Sequence, residues 1–362
     1  MTLNHNNFCI LLAGGVGKRL WPQSNSAHPK QFIDFFGTGQ TLLQQTFERV
    51  SRIIPPENIY ISTYEQYVEQ VSNQLPQIST SQILTEPVRI STAAAVAWAT
   101  IHIALQNPQA NILVTPCDQL VLYTDRYTDE VGAALDYTVQ SDKLLALAVQ
   151  ANAANTAYGY VQIGDSLGNE RYSIRSFTEK PDAVYAAAFV ESGEFLWNTG
   201  LFAWNAQSFL HHLPTLMPQL AESLEAATHN LRQGQDLQFV KTLYPTDSKA
   251  SIDLVILSRN ETALIQRCTF GWADIGSWPQ LYDFAQKDTQ GNAVMNQGKA
   301  VFNHASRNLV SIPEGHLAVI EGLDGYLVAQ HDNILLICPN DDPATAKKAY
   351  KDANSRFGGE FV

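Results

Sequence analysis

The chain has 362 residues, enough for one large domain or for a large domain with a smaller companion. An apolar fraction of 45%, no low-complexity segment and no apolar run long enough to cross a bilayer exclude disordered and membrane-spanning classes. A net charge of −12 without basic runs excludes a nucleic-acid surface, although backbone amides, a few placed cations and Mg2+ can still hold a phosphate ligand.

The opening MTLNHNNFCILLAGG has no basic n-region, and its apolar run is too short for a signal peptide, so a cytoplasmic protein with no membrane partner is expected. Phe8–Leu12 reads as a buried strand. Behind it, LLAGGVGKRLWPQSNSAHPKQF (Leu11–Phe32) packs Gly14, Gly15 and Gly17 before Lys18 and Arg19, with Lys30 near its end. A Walker A loop fails here, because Arg19 follows Gly17-Lys18 and Leu12 stands where the first glycine belongs. A dinucleotide fingerprint fails too: it needs glycine at position 20, where Leu20 sits, and Pro22 and Pro29 oppose a helix. What remains is an open loop of backbone amides that lets a triphosphate approach, with Arg19 and Lys30 as charge. A plain strand-to-helix turn with solvated cations accounts for the glycines equally well.

Further along, apolar residues at three-to-four spacing predict helices over 41–53, 65–75 and 92–106. Short β-type runs predict strands at Ile59–Thr63, Ile83–Thr85, Asn111–Thr115 and Leu144–Val149. This alternation implies an α/β fold, a Rossmann-like and mainly parallel sheet with helices on both faces. Ligands of such sheets bind beyond the carboxyl ends of the strands, where the glycine loop and Asp118 both fall. In the middle, YGYVQI and SIRSFTE read as strands, DAVYAAAFVES as a helix, and residues 206–260 as largely helical, ending in SIDLVILSR. From about Asn292 short alternating runs punctuated by Gly, Asn and Asp predict β-structure, closed by one helix near PATAKKAYKDA. A boundary near residue 288 therefore separates a large domain, 1–288, from a small β-rich C-terminal domain, 289–362. No internal repeat is evident. Cys9, Cys117, Cys268 and Cys338 form no CxxC and stand near no His at metal-ligand spacing, which predicts buried, unreactive thiols.

The string AGGVGKRLWP…HPKQF resembles the G-G-x-G-x-R-L…P-K signature of the sugar-nucleotide pyrophosphorylases, nucleotidylyltransferases that act on sugar 1-phosphates. With LWP, PKQF and the following TLLQQTFERV, it is most similar to the branch using mannose 1-phosphate and GTP. The resemblance implies a nucleotide-diphospho-sugar transferase type of fold. It also implies a loop of Leu12, Ala13, Gly14, Gly15, Gly17, Lys18 and Arg19 around the nucleotide, with Arg19 and Lys30 on its phosphates. Downstream, TPCDQL resembles the metal-binding segment and puts Asp118 on Mg2+, and FGWADIGSW puts Asp274 there as second ligand. AYGYVQI resembles the sugar-site element in which Gly159 gives the hexose room. FTEKP implies Glu179 accepting sugar hydroxyls and Lys180 gripping the sugar phosphate, and LWNTGLFAWN implies Asn198 and Thr199 facing the sugar. SIDLVIL matches another family stretch and is taken as structural.

Taken singly, Asp118 could cap a helix, Asp274 could sit in a turn, Glu179-Lys180 could end a solvated strand, and Trp197, Trp204, Trp272 and Trp278 could be core. The ordered set favours the functional interpretation. Departures fall at EPVRISTAAA, the segment near the base, which carries Glu86, Pro87 and Thr92. There Arg89 precedes Ile90-Ser91 instead of Asn, and Ala94 or Ala95 replaces Pro. Gln119 stands where His is common after the metal aspartate, and only Thr156 persists from the element preceding Tyr158. The implied reaction is transfer of GMP from GTP to α-D-mannose 1-phosphate, with Mg2+ as cofactor and a homodimer as one expected assembly. A different nucleotide and hexose phosphate pair, or a catalytically silent homologue that binds GDP-mannose, remain as alternatives.

Overall fold

The structure is a computed structural model that describes residues 3–86, 91–223, 250–259 and 261–361. Contacts group the chain into two compact units. One comprises Met1–Gly14, Phe47–Pro116 and Val121–Trp272, the other Gly15–Thr46, Cys117–Leu120 and Ala273–Val362.

The first unit is built on nine strands: β1 (Asn7–Leu12), β2 (Ile59–Tyr64), β3 (Ile83–Glu86), β4 (Asn111–Pro116), β6 (Leu144–Gln150), β7 (Gly159–Gly168), β8 (Arg171–Glu179), β9 (Phe195–Asn205) and β10 (Ala263–Cys268). Their order is β3-β2-β1-β4-β9-β6-β10-β8-β7. The pairs β3–β2, β2–β1, β1–β4 and β6–β10 are parallel, while β9 enters antiparallel between β4 and β6. The predicted strands all form, within one or two residues of their expected ends except at YGYVQI, whose strand runs on to Gly168. The first three predicted helices form as α1 (Leu42–Ser51), α2 (Val68–Gln74) and α3 (Thr92–Gln106). Strands β1, β2, β4 and β6 are buried on both faces, whereas much of β7 and β8 is exposed. Phe8, Ile10, Ile112, Val114 and Ala146 share a core with α3, α6 (Ala206–Leu216) and α7 (Ile252–Leu257). The alternate residues Cys9, Leu11, Leu113 and Leu147 are equally buried, and α4 (Thr124–Val139) packs on β4, β6 and β9. Sealed on both sides, such strands read as continuous apolar runs instead of alternating ones. The helix α3 starts where Ser91 Oγ accepts from Ala94 N (3.3 Å), and α5 (Ala183–Ser192) where Asp182 caps Val184 N and Tyr185 N (both 3.0 Å). Cys9 and Cys268 are buried, and burial pushes both thiols up, in keeping with inert residues. No helix among the described residues is long and apolar enough to cross a membrane.

The second unit contains a parallel coil. Strands β12 (Ala293–Met295), β14 (Leu309–Ser311) and β16 (Tyr326–His331) pair in parallel and stack Ala293, Leu309 and Leu327 in one column. The intervening strands β13 (Lys299–Asn303) and β15 (Leu317–Glu321) pair in parallel as a second sheet. Only β17 (Ile334–Pro339) turns back, antiparallel to β16. At the corners Asn308 Nδ2 donates to Asn292 Oδ1 (3.0 Å) and Leu323 O (2.8 Å), and Asn308 Oδ1 accepts from Tyr326 N (2.9 Å). These bonds satisfy turn backbone that the ladders leave unpaired. The coil shares its core with the glycine-loop segment: Leu20, Trp21, Ile33 and Phe35 cluster with Trp278 of α8 (Trp278–Phe284), Ala293, Leu309 and Tyr350 of α9 (Thr345–Phe357).

Candidate active site

In the second unit, the loop after β1 holds its shape by local bonds. Gly17 adopts φ 68, and a Cβ there would lie 2.8 Å from Ser24 Oγ and 3.0 Å from Lys30 side-chain carbons, so only glycine fits without strain. Ser24 Oγ donates to Val16 O (2.6 Å), and one 3-10 turn covers Lys18–Leu20. A second 3-10 turn, Lys30–Phe32, fixes Lys30. No longer helix forms through the segment, as its prolines require.

Lys30 is 7% exposed. Its Nζ lies 3.0 Å from Asp118 Oδ2 and 3.5 Å from Asp274 Oδ1, and it donates to Ile275 O at 3.4 Å. The aspartates flank a short ribbon, β5 (Gln119–Val121) paired with β11 (Trp272–Asp274). Burial works against the ammonium's charge, but Asp118 and Asp274 outweigh it and hold Lys30 well above the usual lysine value. Two carboxylates that reach one ammonium, each keeping some solvent access, also suit a hard divalent cation, which takes oxygen ligands. Gly15 lies beside this cluster, its Cβ position 3.6 Å from Asp118 Oδ2.

Of the other cations in the loop, Lys18 sits over the Tyr350 ring, 4.8 Å from its centroid. Arg19 lines a small recess with Trp278, Cys338, Asn340 and Asp342. The loop is further tied to the coil by Gln23 Nε2, which donates to Gln330 O (2.9 Å) and Ser311 Oγ (3.2 Å), and by Trp278 Nε1, which donates to Trp21 O (3.0 Å).

Within the first unit lie the start of the loop and a separate polar group. Ala13 prolongs β1: its N donates to Ser62 O (2.8 Å), and its carbonyl accepts from Thr63 Oγ1 (2.9 Å). Leu12 is half-buried and Gly14 lies against the Tyr64 ring. Glu86 is buried at the end of β3, within 3.4 Å of Ser62 Oγ, its donor. Pro87 and Arg89 lie outside the described residues.

The polar group gathers around β7, β8 and β9. Gly159 faces Glu179 across the β7–β8 pair, and a Cβ there would come 3.0 Å from Glu179 Oε2 and 2.8 Å from the Phe177 ring. Lys180 pairs with Glu179 (2.5 Å) and holds a left-handed φ of 49 directly before Pro181, a conformation the following ring disfavours. Below them Tyr158 stands edge-on to Trp197 and Trp272, both 5.0 Å away. The two members of the Asn198–Thr199 pair diverge. A register shift in β6–β9 bulges the chain there. Asn198 Nδ2 donates to Asp253 Oδ1 (2.6 Å), while Thr199 is buried with its hydroxyl donating to Leu147 O (2.6 Å). Thr92 is exposed at the start of α3, and its Oγ1 accepts from Ile252 N (3.0 Å).

Asp253 is the residue that sequence reasoning passed over. It lies in SIDLVIL, a segment taken as structural, and burial pushes its carboxyl up while the Asn198 hydrogen bond pulls it down. A carboxylate in an otherwise apolar six-residue helix was the available signal.

Residues 8–291 match the nucleotidyl transferase family. The chain is 31% identical over 347 residues to the mannose-1-phosphate guanylyltransferase RfbM of Salmonella typhimurium, covering 94% of this chain and 71% of that protein. It is 29% identical over 346 residues to a mannose-1-phosphate guanylyltransferase of Escherichia coli, covering 94% and 72%. A solved structure of a mannose-1-phosphate geranyltransferase from Thermus thermophilus superposes with a TM-score of 0.86 at 26% identity, over 96% of this chain and 99% of that one.

Proposed function

The chain belongs to the nucleotidyl transferase family, and from that premise we infer that it transfers GMP from GTP to α-D-mannose 1-phosphate, forming GDP-mannose and pyrophosphate. The likeness to guanylyltransferases over nearly the whole chain supports the substrate pair. For the chemistry, the supporting observation is the buried ammonium of Lys30 joined to both Asp118 and Asp274.

A phosphate oxygen of the sugar phosphate attacks the α-phosphorus of GTP, a new P–O bond forms, and the bond to the departing pyrophosphate breaks. The attacking oxygen is anionic at neutral pH, so no general base is needed. The obstacle is repulsion between two polyanions and the charge spread over the transferring phosphoryl group. Lys30, whose charge is secured by its surroundings, and Arg19 offset the charge of the triphosphate. Asp118 and Asp274 would hold Mg2+, which would supply further neutralisation of the phosphates when bound. The backbone amides around Gly14, Gly15 and Gly17 receive the phosphates where side chains would obstruct. On the sugar side, Lys180 meets the sugar phosphate, Glu179 accepts from its hydroxyls, and Gly159 leaves room for the ring. Orientation of both reactants completes the acceleration.

Pyrophosphate release with Mg2+, mannose 1-phosphate and each of GTP, ATP, UTP and dTTP, repeated with glucose 1-phosphate, tests this assignment. Release confined to GTP with mannose 1-phosphate is the expected result. Release with another pair would overturn the substrate assignment while leaving the mechanism.

A further inference from the structure

Asn198 is held from two sides. Its Nδ2 donates to Asp253 Oδ1 at 2.6 Å, and its Oδ1 accepts from Gly200 N at 3.1 Å. The two ends of an amide have nearly the same shape, so only their partners decide which way it points. Here the partners make opposite demands, since an ionised carboxylate accepts only and a peptide N–H donates only. Turning the amide over would set oxygen against oxygen on one side and two donors together on the other. Asn198 is thereby fixed with its oxygen engaged and, among the described residues, one N–H still available.

We propose that Asp253 is a positioning residue of the hexose-phosphate subsite, fixing the Asn198 amide so that its remaining N–H is offered to a hydroxyl of the bound sugar. The proposal rests on the assignment of Glu179, Lys180 and Asn198 to sugar phosphate made above. Asp253 is itself well anchored. Ser251 Oγ accepts from Leu254 N (3.2 Å) at the start of α7, and Ile252 N donates to Thr92 Oγ1 (3.0 Å) at the start of α3. Gly200, at φ 74, gives the bulge the turn that brings its own N–H back to Asn198; a Cβ there would lie 3.8 Å from Asp253 Oδ1. The carboxylate also feels the charges of Glu179 and Lys180, so one group of side chains surrounds both the sugar contacts and the residue that sets them.

The test is steady-state kinetics with melting curves on the wild type, Asp253→Asn, Asn198→Ala, the corresponding double variant, and the exchanged pair Asn198→Asp with Asp253→Asn. Asp253→Asn should raise KM for mannose 1-phosphate about tenfold, the scale of one hydrogen bond to a charged group, with KM for GTP unchanged. Added to Asn198→Ala, it should have no further effect. The exchanged pair rebuilds the hydrogen bond between the two positions, so it should recover the melting temperature without recovering KM for the sugar phosphate. A merely structural role predicts that both recover, and that outcome overturns the proposal. So does an unchanged sugar KM in Asp253→Asn, or an effect that adds to Asn198→Ala. A wild type inactive with mannose 1-phosphate and GTP contradicts the functional assignment itself, which these variants do not address.

Discussion

Lys30 is nearly sealed from water, and moving an ammonium out of water costs several kcal/mol unless opposite charge receives it. Asp118 and Asp274 provide that charge, and in return the ammonium relieves the repulsion between them. Removing it should leave two carboxylates that only another cation can satisfy. Lys30→Gln is expected to lower stability by roughly 2 kcal/mol, below a fully buried broken pair because both aspartates keep some solvent. Mg2+ should restore the variant's melting temperature more than it raises that of the wild type; an equal response in both would sink the idea that the three groups share one cation site. Lys180 poses a different question, being exposed and strained at φ 49. If it meets the sugar phosphate, Lys180→Ala should raise KM for mannose 1-phosphate by about tenfold and leave KM for GTP alone. Equal losses for both substrates would contradict that role.

Among the elements, α9 bears most directly on the glycine loop. Its Tyr350 is buried, receives Lys18 over its ring, and belongs to the same cluster as Leu20 and Trp21. Truncating it removes packing beneath the 3-10 turn Lys18–Leu20 of the glycine loop. Tyr350→Ala should raise KM for GTP several-fold while Tyr350→Phe stays near wild type, since the ring face is retained. An unchanged GTP KM in Tyr350→Ala would detach the C-terminal helix from nucleotide binding. The coil has its own pH signature. Hydrogen bonds from Arg307 and then Ser306 pull Asp324 from its ordinary 3.8 down to about 2. A depressed carboxyl stabilises the fold above its unfolded value and loses that contribution as pH falls through its folded value. Asp324→Asn should therefore be less stable than the wild type near neutral pH, with the gap closing between 3.8 and about 2. A gap independent of pH would mean that the charge of Asp324 contributes nothing.

At the scale of the whole molecule, the parallel half of the sheet was legible because strands sealed on both faces must be apolar throughout, as Ile10, Ile61 and Val114 are. The helix α3 was legible to the residue, being alanine-rich and capped by Ser91. The central antiparallel strand β9 was not, because Asn198, Thr199 and Gly200 interrupt its apolar run at the bulge. Nor was the coil seen as parallel: the likeness between its turns is confined to short pairs, Ala300-Val301 beside Ala318-Val319 and Leu309-Val310 beside Leu327-Val328, too brief to stand out as a repeat before the strands were stacked. Within the site, the resemblance paired Asp118 with Asp274 as metal ligands and set Lys30 on the nucleotide phosphates, and only the fold brings both carboxylates onto the Lys30 ammonium. Asp253 escaped because its partner Asn198 is far away in sequence and its own segment reads as an apolar helix.

The central claim is that the Lys30–Asp118–Asp274 cluster drives guanylyl transfer to mannose 1-phosphate. The most direct measurement follows GDP-mannose and pyrophosphate together, by phosphorus NMR, in reactions of the wild type and of Asp118→Asn with GTP, mannose 1-phosphate and Mg2+. The wild type should form the two products one for one and stop when the metal is chelated. Asp118→Asn, melting like the wild type, should be slower by at least about a hundredfold, as when an electrostatic contact to a developing charge is removed. A wild type that makes no GDP-mannose, or an Asp118→Asn variant that makes it at full rate, would contradict the account.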